Sequence, residues 1–278
     1  VIGSGFAGMS AATHMAKAGW EVTVLEKHQQ PGGRGRKMET DGFTFDMGPS
    51  WYWMPDVFER YFACFGKKVS DYYTLTRLDP SYRVYFSDRV VDVPSDYNSL
   101  RNMFESLEPG SAIQLDKFLQ EAAYKYQVGI NKLVHKPGQH LSEFMDMDLF
   151  KGLLKLDVFT SMKNHVRRFF SHPYLIQLVE FPVLFLGALP GDIPALYSLM
   201  NYADMKLGTW YPQGGMYKIS EAMHQLAEEM GVKFVFDAEV TKMHVERGSV
   251  KKVTVKNQLD VYTDYTADVI VSGADYHH

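Results

Sequence analysis

Cysteine is nearly missing from this chain. Cys64 is the single one among 278 residues, which excludes an intrachain disulfide and a cysteine-based metal cluster and fits a reducing compartment. An excess of positive charge is missing too: 29 Lys and Arg stand against 33 Asp and Glu, for a formal net charge of −4. Nothing in that balance points to nucleic acid as a partner. No apolar run reaches the length of about 20 residues that spans a bilayer as a helix, and there is no internal repeat or low-complexity tract. His135, His140, His165 and His172 show no metal-ligand spacing; they read as surface or capping residues, and no metal is expected. What the chain has in quantity is large apolar side chains, with aromatics at 14% and 15 methionines. They suit an ordinary core, and equally a tunnel for a long apolar ligand.

The most specific local signal is at the start. VIGSGFAG sets Gly3, Gly5 and Gly8 in G-x-G-x-x-G spacing, apolar Val1 and Ile2 precede it, and a helix-like run from Met9 to Ala18 follows, closed by Gly19. The first glycine permits the tight turn, the second lets backbone approach a pyrophosphate, and the third lets the helix pack on the sheet. The helix N-terminus then offers unpaired N–H groups to the diphosphate. Glu26 closes the next strand-like run, VTVLE, at the spacing of about 20 residues where a carboxylate accepts from ribose hydroxyls. The alternative is a tight strand-to-helix turn without a ligand.

The length allows two domains, or one α/β domain with an insertion. Residues 1 to about 50 read as strand, helix, strand and glycine-rich loop, the opening of a doubly wound sheet. YRVYFSDRVVDVP alternates around Ser87 and Asp88 as a hairpin does. Ile113, Leu115, Phe118, Leu119, Ala122, Ala123, Tyr126, Ile130 and Leu133 keep helical spacing. Strand character returns in KFVFDAEVTKMHV, VKKVTV and DVIVSG. The expected organisation is a nucleotide-binding domain in two pieces, 1–80 and 206–278, around a mostly helical insertion, 81–205. Two residues before the first glycine and a strand running out at the other end read as a fragment, so an N-terminal targeting signal is left open.

A second glycine cluster selects the cofactor. PGGRGR, Pro31 to Arg36, and GFTFDMGPSW, Gly42 to Trp51, follow closely on Glu26. A nicotinamide needs no such loop; a flavin lying across the sheet needs further close backbone approaches, with Arg34 near the diphosphate charge. A surface turn is the competing reading of PGGR.

GSGFAG, Glu26, PGGR and FDMGP in this order resemble the flavin-dependent amine oxidase and phytoene desaturase superfamily. GTWYPQGGM, Gly208 to Met216, and SGADYHH, Ser272 to His278, narrow the likeness to bacterial carotenoid desaturases. SEFMDM, FPVLFLGALP and ALYSLMNYAD are similar to those of the Bacteroidetes type. The likeness runs the whole chain but matches only the N-terminal half or somewhat more of such an enzyme. It implies an α/β fold, a Rossmann-like FAD-binding domain with a largely helical substrate- and membrane-facing insertion. It implies FAD held by Gly3, Gly5, Phe6, Ala7 and Gly8 at the diphosphate and Glu26 at the ribose, with Gly33, Arg34, Gly48 and Pro49 along the cofactor. Val240 matches a strand position whose backbone contacts adenine, and otherwise reads as a buried strand valine.

The implied activity is phytoene desaturation in carotenoid synthesis, hydride leaving an apolar C40 polyene precursor for the flavin. The chain then has to supply a dry channel that aligns the substrate. Trp210 and Tyr211 are candidates to line it, or a packed aromatic pair. Asp146 corresponds to an acid/base candidate of related desaturases; Met145 stands where those have arginine, which removes a tuning charge and favours a capping or solvated aspartate. From 149 to 170, leucines and phenylalanines interleave with Lys151, Lys155, Lys163, Arg167 and Arg168, a pattern for a basic amphipathic helix at a membrane interface or one facing the core. The place expected is the cytoplasmic side of the inner membrane, peripherally bound. The alternatives are a sister carotenoid or retinoid oxidoreductase (C30 desaturase, isomerase or saturase) and a non-catalytic prenyl carrier of the Rab GDP-dissociation-inhibitor type.

Overall fold

The computed structural model describes residues 1–130, 134 and 156–275. In chain order come α1 (Phe6–Lys17), β1 (Thr23–Leu25), β2 (Lys37–Thr40), β3 (Phe43–Asp46) and α2 (Pro55–Ala63). Next are β4 (Leu75–Arg77), β5 (Tyr82–Tyr85), β6 (Val90–Val93), α3 (Tyr97–Leu107), α4 (Ser111–Val128), α5 (Met162–Val166), α6 (Pro173–Glu180) and α7 (Leu199–Tyr202). The chain closes with β7 (Trp210–Pro212), α8 (Lys218–Glu229), β8 (Lys233–Val235), β9 (Glu239–Glu246), β10 (Ser249–Lys256) and β11 (Tyr262–Thr266). These form two units, Val1–Thr76 with Tyr211–His278, and Arg77–Trp210.

The first unit is layered around a parallel sheet. β1 pairs in parallel with β8, and Ile2 bridges in parallel to Leu25 on one side and Ser272 on the other. Successive strand residues point to opposite faces, so Val24 and Leu25 enter different clusters. Val24 joins Ala12 of α1, Val22, Ala227 of α8 and Val232. Leu25 joins Ile2, Ala238, Val253 and Val255, the last two on β10 of an antiparallel β9–β10–β11 sheet. Both faces of the parallel sheet are thus covered, as such sheets require. Each fully buried side chain of this kind contributes about 1.5–3 kcal/mol.

The turns follow from local chemistry. Ala-rich α1 ends where Gly19, at φ +93, enters the left-handed region, and Gly19 N–H and Trp20 N–H donate to the carbonyls of Ala16 and Met15. Gly8 is required by packing: a Cβ there would lie 2.0 Å from the Gly3 carbonyl oxygen.

In the second unit β5 and β6 form the expected antiparallel hairpin. α3 starts at Asp96, whose carboxylate accepts from Ser99 N–H at 2.8 Å. α4 buries Leu115, Phe118, Leu119, Ala122 and Tyr126, whereas Ile113, placed on the stripe by spacing, is exposed. Lys125 shares the buried face. Its ammonium stands 2.9 Å from Asp157 Oδ2 and donates to Ala195 O and Ser198 Oγ, both at 3.2 Å. Burial pushes it below the usual lysine range while Asp157 pulls it back.

Two sequence readings change here. Residues 149–155 lie outside the described residues; from Leu156 the stretch is a turn followed by the five-residue α5, which Ser161 caps through Asn164 N–H. Leu156, Val166 and Phe170 are buried, so their side of the stripe faces the core. His165, read from sequence as a surface or capping residue, is buried beside Lys125; burial and that ammonium hold its pKa down at about 4. His172 does cap, its Nδ1 accepting from Tyr174 N–H at 3.3 Å at the start of α6. His135 and His140 lie outside the described residues.

Candidate functional site

Four segments far apart in sequence meet at the C-terminal end of β1 and the start of α1. The fingerprint loop receives the PGGR loop directly, Gly32 N–H donating to Ser4 O at 2.9 Å. Gly33 lies so close that a Cβ on it would be 3.2 Å from Gly5 Cα. The loop after β3 packs on PGGR in turn: a Cβ on Gly48 would meet Arg34 O at 2.2 Å. The GGMYK segment and the start of α8 close the set, with Ser220 Oγ of α8 donating to Gly35 O at 2.9 Å. Behind the fingerprint, Gly273 N–H donates to Ile2 O at 2.8 Å.

Asp46, not singled out from the sequence, holds two of these motifs together. Its carboxylate accepts from Met216 N–H at 2.8 Å, Tyr217 N–H at 2.9 Å and the Tyr211 hydroxyl at 3.0 Å. Its position in FDMGP was the available signal; its partners lie some 165 to 171 residues downstream, beyond any local pattern.

The anion-binding features are present on α1. No side chain caps its N-terminus, no acidic residue lies in its first turn, and a Cβ on Gly5 would meet nothing within 4 Å. Backbone N–H groups with open space before them are what a diphosphate needs. Phe6 is half-buried against Phe58, and Ala7 is exposed. Arg34 is exposed on a 3-10 turn, Gly33–Gly35, free to meet phosphate charge.

Glu26 is nearly buried, at 3% exposure. Its Oε2 accepts from Ser4 N–H and Ser4 Oγ–H, both at 2.7 Å, and its Oε1 from His28 N–H at 2.9 Å. The His28 Nε2 accepts from Arg36 Nη1 at 3.0 Å; burial first, then the Arg36 charge, lower its pKa, in keeping with a neutral ring.

The other candidates divide. Gly48 and Pro49 are exposed beside the PGGR loop. Val240 is half-buried on β9 and packs on the Ile2–Leu25 cluster. Tyr211 is tied to Asp46; Trp210 donates its indole N–H to Leu207 O at 2.9 Å. Asp146 and the terminal His277 and His278 lie outside the described residues.

The family description that matches residues 6–278 is flavin containing amine oxidoreductase. The chain belongs to that family. Among curated proteins it is 40% identical over 280 residues to a carotenoid 3,4-desaturase of Haloarcula japonica, covering 100% of this chain and 56% of that one. It is 34% identical over 276 residues to a zeta-carotene-forming phytoene desaturase of Myxococcus xanthus, covering 99% and 53%. The chain therefore spans about half the length of the curated relatives it matches. Among solved structures an oxidoreductase from Methanosarcina mazei superposes with a TM-score of 0.58 at 16% identity, covering 96% of this chain and 56% of that one; this is likeness of fold. The cofactor of the family is FAD, and the uncapped α1 terminus, the open space at Gly5 and the ring of glycine contacts fit it.

Proposed function

We propose that the protein is an FAD-dependent carotenoid desaturase acting on an apolar C40 precursor of the phytoene type. The observation that carries this reading is the convergence of the fingerprint, PGGR, FDMGP and GGMYK segments on one site, in a chain alignable along its whole length with carotenoid desaturases. Gly3, Gly5, Phe6, Ala7 and Gly8 would hold the diphosphate and Glu26 the ribose. Gly33, Arg34, Gly48 and Pro49 would lie along the cofactor, and Val240 near the adenine. Bound FAD supplies a two-electron acceptor; orienting the substrate and excluding water fall to the protein.

A hydrocarbon offers no polar group to grip, so alignment rests on apolar walls. Trp210 and Tyr211 are the proposed lining, with Tyr211 fixed by Asp46. Asp146 is the acid/base candidate by the resemblance, set against the capping or solvated role that Met145 beside it favours. The domain roles proposed are cofactor binding for 1–80 and 206–278 and substrate binding for 81–205.

The partner proposed besides the polyene is a membrane surface on the cytoplasmic side. Among the described residues no helix is long and apolar enough to cross a membrane. Phe185 and Leu189, at 61% and 69% exposure, and the exposed Leu184 and Leu186 beside them offer an apolar edge suited to a lipid interface. The loop after them runs along α5, Lys163 N–H donating to Pro190 O at 2.9 Å, which sets a lysine backbone next to that edge.

The test is expression of the full-length gene in cells that accumulate phytoene, with extraction and absorption spectroscopy of the pigment. Each added conjugated double bond shifts absorption to longer wavelength. Unchanged phytoene in cells that hold the folded, yellow flavoprotein would overturn the substrate assignment and favour the sister oxidoreductases; a colourless protein would favour the prenyl-carrier reading.

A further inference from the structure

We infer that Ser4 is a positioning residue for the ribose contact of the cofactor, acting through Glu26. The inference rests on the FAD assignment and goes beyond it to a residue that touches the acid rather than the glycine path. Ser4 is fully buried and gives Glu26 Oε2 two donors, its backbone N–H and its hydroxyl, both at 2.7 Å. His28 N–H holds Oε1 at 2.9 Å.

The count of acceptor positions gives these contacts their meaning. An ionised carboxylate has about four lone-pair positions. Among the described residues two on Oε2 and one on Oε1 are filled, which leaves one on Oε1 that a single sugar hydroxyl can occupy without displacing one of these donors. The terminal torsion of a glutamate is broad and weakly restricted by itself; hydrogen bonds to the charged oxygens are what fix it. The Ser4 hydroxyl is the one of the three donors that depends on residue type. Replacing it leaves the backbone N–H and the turn in place, and removes half of the grip on Oε2.

The test is a titration of the full-length apoprotein with FAD, read by quenching of flavin fluorescence, together with thermal unfolding of each apoprotein. Ser4→Ala should weaken FAD binding roughly tenfold. Ser4→Cys, which keeps the volume and offers a weak S–H donor, should lose nearly as much, and serves if the alanine variant does not fold. In a Glu26→Gln background the further change Ser4→Ala should alter FAD affinity less than about twofold, because the carboxylate it positions is gone. Equal losses in both backgrounds, or FAD binding by both Ser4 variants as tight as the wild type, would overturn the inference. Wild-type protein that takes up no FAD would instead overturn the cofactor assignment beneath it.

Discussion

The two units hold themselves together by opposite means. Around the fingerprint, contact is made by backbone: glycines 8, 33 and 48 stand where a Cβ would press on another main chain, and Glu26 is held by N–H and O–H donors. In the second unit, ionisable side chains are sunk in the core, with Lys125, His165 and Asp204 each nearly or fully buried. A site whose close contacts are made by backbone is rigid and intolerant of a methyl group. A core pinned by buried charge tolerates small changes of shape and responds to pH. The contrast can be broken in both directions.

The largest effect belongs to the glycines. Gly8→Ala puts a Cβ 2.0 Å from Gly3 O, which only a backbone shift of α1 against the strand can relieve. A loss of about 4 kcal/mol or more is expected, read as a folded yield or melting temperature far below wild type. Gly5→Ala provides the opposite case on the same loop. Its φ is −69 and its Cβ meets nothing within 4 Å, so the apoprotein should unfold within about 0.5 kcal/mol of wild type while FAD binding falls sharply. If Gly5→Ala bound FAD normally, the open space at Gly5 would not be the diphosphate's place.

Lys125 is next. Lys125→Ala removes the ammonium from beside half-buried Asp157 and buried His165, and because the carboxylate keeps contact with water the loss is expected below the roughly 3–5 kcal/mol of a fully buried pair. Lys125→Met keeps the packing of the stem and should lose less; denaturant unfolding of the two variants measures the difference. The Lys125 pKa lies below its unfolded value, so the unfolded chain binds more protons across the interval between the folded value and 10.5. Stability from this residue therefore rises with pH through that interval. A flat profile for wild type there would mean that the ammonium is not desolvated.

The same contrast explains what could be read from sequence. Gly3, Gly5, Gly8 and Glu26 were legible because each answers a local demand of turn, approach or spacing, and the paired hairpin at Ser87 and Asp88 and the stripe of α4 were legible as periodicity. Asp46 was not, because its role exists only once GGMYK has folded back onto β3. Lys125 was half-legible: it lies three residues past Ala122 on the buried stripe, a charged residue in an apolar position. The turn before α5 was hidden because the apolar spacing continues through it, and Asp157 takes its positive φ of +50 without a glycine or proline to announce it.

Asp204 gives the smallest of the expected effects and the most specific. It is buried, accepts from the Tyr82 hydroxyl at 2.7 Å and from the Thr209 hydroxyl at 2.8 Å, and burial pushes its pKa up to about 6 against those two bonds. Its folded value lies above the unfolded one of 3.8. Between about pH 4 and 6 the folded state therefore holds the proton that the unfolded state releases, and stability falls as pH rises. The full fall is on the order of 3 kcal/mol. Asp204→Asn keeps one oxygen to accept from one hydroxyl, its NH2 donates to the oxygen of the other, and it cannot ionise. It should flatten that part of the stability profile and make the protein more stable at pH 7 than at present, read by urea unfolding at pH 4.5 and 7. A variant that keeps the slope would show that the acid-sensitive group is elsewhere, and that the charge buried in the second unit is better solvated than its hydrogen bonds imply.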